Sequence, residues 1–144
     1  MNKQIVDEVQ KLCSEIVANY YAMNLQASKR FANETVVEEE GSHVRIVSPS
    51  YVYQMEGGRA AGTMPPVSAI RQWIRDKNAN AGTNIPEEAA FAIAYTIKKE
   101  GIKVPNPFND GGVVSRILDA NAVQRITLSV LDIVKAELLT ILKK

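Results

Sequence analysis

The chain has 144 residues, 46% of them hydrophobic and 23% charged, with 17 Lys and Arg against 16 Asp and Glu for a net charge of +1. That length suits one domain, and the balance excludes a disordered, collagen-like or disulfide-scaffold protein. Near-neutral charge argues against a general nucleic-acid binder, which gains affinity by neutralising phosphates, and leaves self-association undiscouraged.

Ile5, Val9, Leu12, Ile16 and Tyr20, with Val6, Cys13, Val17 and Tyr21 beside them, recur at three- and four-residue spacing. The spacing predicts one helix from Lys3 to about Arg30, roughly 40 Å long at 1.5 Å per residue. The period then changes to two. Runs at 35–40, 43–48 and 50–56, bounded by Gly41-Ser42 and Pro49, predict a three-stranded antiparallel meander that needs the helix to pack on. In the last run, Tyr51, Tyr53 and Met55 are expected to share a face.

Gly57 to Pro66 has no period and is expected to be a loop, with its two final prolines opening the next helix. Val67, Ile70, Trp73 and Ile74 define that helix, with Arg71, Arg75 and Lys77 on its other side, and 78–84 reads as a polar linker. Pro86-Glu87-Glu88 opens a further helix that Lys98-Lys99 closes before Gly101, a charge order that complements the helix dipole. The stretch 101–112 is another loop. From about Ala120 to Lys143 a long helix follows, with Val123, Ile126, Val130, Val134, Leu138 and Ile141 as its stripe. The segment Val113 to Leu118 fits a short strand or a helical lead-in equally. The expected class is α+β, a single domain over 1–144: a long N-terminal helix on a small antiparallel sheet, two shorter helices and a long C-terminal helix.

No catalytic residue, cofactor site or metal site is expected. His43 has no second histidine, cysteine or nucleophile near it, and reads as a solvated strand-end residue. Cys13 lies on an apolar helix face without neighbouring cations, so a core thiol is expected. Glu38-Glu39-Glu40 alternate faces in a strand and cannot converge on one ion. The 106–111 loop lacks the distal glutamate of a calcium loop, and Gly58 to Gly62 lacks the Gly-Lys-Ser/Thr ending of a phosphate loop. No segment has signal-peptide character or the ~18 apolar residues of a membrane span, so a soluble protein made in the cytoplasm, without membrane contact, is expected. Nucleic acid is the remaining partner class: Arg71, Arg75 and Lys77 offer a basic face, and Tyr51 with Tyr53 a stacking platform, although both features suit a solvated helix and a packed strand better.

Two blocks change the balance. Tyr51-Val-Tyr-Gln-Met-Glu-Gly-Gly-Arg59-Ala-Ala-Gly62-Thr-Met64-Pro65-Pro66, continuing to Ile70 and Trp73, resembles the tail-component family of tailed bacteriophages, the tail-completion or head–tail joining proteins. Ala90-Phe91-Ala-Ile-Ala94-Tyr-Thr-Ile97-Lys-Lys-Glu-Gly101, followed by Pro105-Asn-Pro107-Phe108, resembles that family's alanine-rich helix, basic-Glu-Gly end and Pro-Phe loop. Ala60-Ala61 stand where the family often has a basic residue and a proline, and 111–118 has no clear counterpart. The blocks span Tyr51 to Phe108, two-fifths of the chain.

The resemblance implies a structural virion protein of the neck. It would form a ring of six or twelve copies joining portal or adaptor to tail proteins, with genomic DNA passing through the lumen without sequence specificity. It would assemble in the bacterial host cytoplasm. Arg59, Met64, Pro65, Pro66 and Phe108 become the expected contact residues, and Arg71 and Arg75 candidates for partner carboxylates or the DNA path. The rival is a nucleic-acid-binding or regulatory module of a mobile element.

Overall fold

The computed structural model describes residues 2–143. Helix α1 spans Lys3–Ala22, and the Asn2 side chain accepts the Gln4 amide at 2.9 Å as its N-cap. It ends eight residues before the expected Arg30. Asn24 takes a left-handed φ of 54°, and the Asn24 and Leu25 amides turn back to the carbonyls of Tyr21 (3.0 Å) and Tyr20 (3.3 Å). That pattern satisfies the last carbonyls of a helix, and asparagine tolerates it where most residues do not. The reversal brings a short helix, α2 (Arg30–Glu34), back against α1, with the Phe31 and Tyr20 ring centroids 4.4 Å apart.

Strands β1 (Val36–Glu40) and β2 (His43–Val47) form an antiparallel hairpin around Gly41, with Val36 opposite Val47 and Glu38 opposite Arg45. Arg45 donates to Glu38 through Nε and Nη2, and its Nη2 lies 3.5 Å from Glu40. Two members of the glutamate run are therefore paired on one face, and His43 is exposed at the strand's start.

The expected third strand is a helix instead. Val52 donates to the Pro49 carbonyl, and α3 runs Val52–Gly57. Tyr51, Val52 and Met55 pack on the core while Tyr53 is 78% exposed. Tyr51 and Met55 fit a two-residue alternation and a four-residue helical spacing equally well, and Tyr53, which separates the two, faces solvent. The sheet consequently has two strands and leans on α1.

Helix α4 (Val67–Ala81) starts after Pro65-Pro66 and stops at Gly82, whose φ is 66°. It takes in 78–81, more than half of the expected linker, because those polar residues have local work. The Asn78 side-chain Oδ1 accepts the Ile85 backbone amide and the Thr83 hydroxyl, while the Asn80 side-chain Nδ2 donates to the Ala27 carbonyl. A 3₁₀ turn at Glu87–Ala89 leads into α5 (Ala90–Glu100), where Ala90 and Ala94 are fully buried and the small side chains allow close approach to α4 and its Ile74.

Residues 113–118 form turns, neither strand nor helix, with Val113 fully buried. Asp119 caps α6 (Ala120–Leu142) by accepting the Ala122 amide at 2.9 Å. Asn19 holds the Gly112 and Val113 carbonyls, and Arg125, farther on in α6, pairs with Glu15, one turn earlier in α1, so α6 runs antiparallel to α1. The expected stripe on α6 is not its buried face: Ile126 and Val130 are only half-buried and Val123, Val134, Leu138 and Ile141 are exposed, whereas the buried residues, Ala122 and Ile133, lie outside that stripe.

The core cluster is Ile16, Tyr20, Phe31 and Val113, with Met23, Leu25, Ile46, Tyr51 and Met55 packed around it. Cys13 is buried beside it, its thiol 3.5 Å from the Thr35 carbonyl, and burial pushes the thiol pKa up. A raised pKa disfavours the thiolate, as a core role requires.

Candidate functional site

The two motif blocks meet in space. Gly58 ends α3 with φ 80° and ψ −162°, and Gly101 ends α5 with φ 72° and ψ −162°, a region essentially reserved for glycine. These turns lay Arg59 and Ile102 side by side as an antiparallel bridge, exchanging both N–H···O bonds at 2.8 Å. A Cβ on Gly58 would run into the Ile102 carbonyl, and one on Gly101 into the Arg59 carbonyl. The Gly62 amide adds a third link to the Lys98 carbonyl at 2.8 Å. The Gly-Arg-x-x-Gly turn is thus clamped to the end of α5.

The clamp positions the expected contact residues unequally. Arg59 is half-buried, and its guanidinium donates to the Thr63 carbonyl at 3.1 Å, folding the loop over itself. Pro65 is buried and Met64 half-buried, so these two anchor the loop to its own subunit, while Pro66 is exposed at the start of α4. Phe108 is 87% exposed at the tip of its loop. Arg71 is exposed. Arg75 is engaged within the subunit by Glu87, with Nε and Nη2 donating at 2.8 and 2.9 Å, and that hydrogen-bonded carboxylate raises its pKa.

The Phe108 loop is built by residues whose role the sequence did not reveal. The Asn106 side-chain oxygen accepts the Phe108 and Asn109 amides, and the Asn109 amide group donates to the Met55 carbonyl at 2.9 Å. Glu56 fixes the far end: its Oε1 accepts the Val114 and Ser115 amides, and its Oε2 the Ser115 hydroxyl at 3.0 Å. The only signal was the pair of asparagines around Pro107-Phe108, which favour side-chain turns onto nearby backbone amides.

Burial pushes the Glu56 pKa up, but the hydrogen bonds from Val114 and Ser115 outweigh it and hold the carboxyl below its ordinary value. A depressed folded-state pKa gives stability that is full above the unfolded value of about 4.3 and fades as pH falls through the folded one. Glu56→Gln is therefore expected to lose about 1–2 kcal/mol at pH 7 and much less at pH 3, in urea titrations at both. An equal loss at both pH values would refute the charge-assisted role of this carboxylate.

On the outer side of α5, opposite Ala90 and Ala94, Phe91 and Tyr95 stack with centroids 6.5 Å apart, both exposed. Tyr95, Lys98 and Lys99 line a shallow hollow with Ala61 and Gly62. The surface therefore carries aromatic and cationic side chains together.

No family model, no curated protein and no solved structure matches the chain. Among the described residues, no helix is long and apolar enough to cross a membrane.

Proposed function

We propose that the chain is a structural virion protein of a tailed bacteriophage. It forms a ring in the neck that joins portal or adaptor to tail components and lets genomic DNA through. The reading assigns it no catalysis, and places it in the virion after assembly in the host cytoplasm. What supports it is the clamp: the two separated blocks that resemble the tail-component family form one continuous surface through the Arg59–Ile102 bridge. A turn fixed on both sides by backbone hydrogen bonds, beside a proline-rich loop, meets a partner with little ordering cost.

Phe108 is the residue this reading places at the partner. It is a large aromatic held outside its own core by a loop tied down at Asn106 and Asn109. Buried aromatics commonly anchor interfaces at about 2 kcal/mol or more, so Phe108→Ala is expected to weaken assembly onto portal, adaptor or tail protein by about 30-fold. Its melting temperature should match wild type. Co-sedimentation with those components measures the first quantity, and calorimetry the second. The neck reading fails if the wild-type chain binds none of the components and also stays monomeric at high concentration.

A further inference from the structure

Helix α6 is apolar on two opposite faces, and one of them is uncovered. Ala122 and Ile133 lie buried against α1. Leu128, Leu131, Val134, Leu138, Ile141 and Leu142 lie on the other side, each about half exposed or more, with Leu142 at 79%. A helix that is hydrophobic all round belongs to a buried environment.

The spacing of this outer face is specific. Leu131, Val134, Leu138 and Ile141 repeat at three and four residues, the a and d positions of two successive heptads, and Lys135 and Glu137 fall at the flanking e and g positions. That pattern fits another helix better than a flat partner. The face gathers six large apolar side chains, each about half exposed or more, on one strip of the helix, unlike the singly scattered apolar residues of an ordinary surface. Its helix carries Arg125 and Lys135 against Asp132 and Glu137, whereas a helix that lies on lipid has a polar face rich in Lys and Arg. Balanced charge around an apolar seam suits a like partner.

We infer that the outer face of α6 is covered by a second copy of this chain, α6 against α6. The inference shares with the ring reading only the association of identical subunits: one face packed on its own copy is a two-fold contact, separate from the head-to-tail contacts that close a ring, and the surface it names comes from α6 alone. Sedimentation of the full chain across a wide concentration range is the test, with Leu131→Glu/Leu138→Glu and the milder Leu131→Ala/Leu138→Ala alongside. Circular dichroism of each variant reports the fold, and the alanine pair keeps helix propensity should the glutamate pair unfold. The expected result is a wild-type oligomer that the variants dissociate, with self-association at least about 100-fold weaker. A wild type that stays monomeric, or variants that associate like wild type, would overturn the seam. So would a monomer whose α6 face is taken up by vesicles containing anionic lipid. Variants that still associate leave the neck reading standing, because that reading is decided separately by binding to portal, adaptor and tail proteins.

Discussion

Replacing Gly58 or Gly101 with alanine is expected to destabilise the fold by about 3 kcal/mol or more, beyond the usual range of single surface changes. Two costs coincide at each position. The backbone occupies a positive-φ, extended-ψ region that alanine reaches only with strain of about 1–3 kcal/mol. The new methyl also meets a backbone carbonyl of the opposite segment, Ile102 for Gly58 and Arg59 for Gly101, which cannot rotate away as a side chain would. Relief requires opening the bridge, and with it the 2.8 Å hydrogen bonds between Arg59 and Ile102.

Gly57 supplies the control one residue away. It ends α3, has no left-handed φ, and a Cβ there meets nothing within 4 Å. Gly57→Ala should therefore be neutral or slightly stabilising, since alanine is the better helix former. Urea denaturation of the three variants separates the cases. Similar midpoints for Gly57→Ala and Gly58→Ala would mean that the clamp contributes nothing particular to the fold.

The clamp also marks where reading the sequence stops. Helices α4, α5 and α6 were legible because an apolar face at helical spacing lay between boundary residues such as Pro66, Gly82, Gly101 and Asp119. The hairpin was legible from Gly41-Ser42 between β-branched runs. Residues 50–56 were not, since Tyr51 and Met55 satisfy both periods and only tertiary burial distinguishes them. The end of α1 was hidden because Asn24, not glycine, makes its left-handed stop. The bridge between Arg59 and Ile102, next to Gly58 and Gly101, is a contact between distant segments, and a single sequence carries no local sign of it. Phe108 was legible as a candidate contact, but Glu56, Asn106 and Asn109, which hold its loop, act through backbone amides that no side-chain pattern announces.

The other large effect is expected at Phe31, where Phe31→Ala should cost about 3–5 kcal/mol, because a fully buried aromatic leaves both lost transfer energy and an unfilled cavity. The site has little freedom to collapse. Phe31 touches the ring of Tyr20 from α1 and lies 6.4 Å from that of Tyr51 before α3, and its cluster includes Val113 next to the residues Glu56 binds. Phe31 thus joins α1 to the segment that starts α3, at whose other end the clamp is built. Loss of this ring should loosen the Phe108 loop as well as lower global stability. Hydrogen exchange at the Val114 and Ser115 amides reads the local effect, and urea denaturation the global one. If Phe31→Ala lowers stability while those amides keep their protection relative to the global unfolding energy, core and contact loop are independent. If their protection falls further than global stability does, the core sets the geometry that the loop presents to a partner.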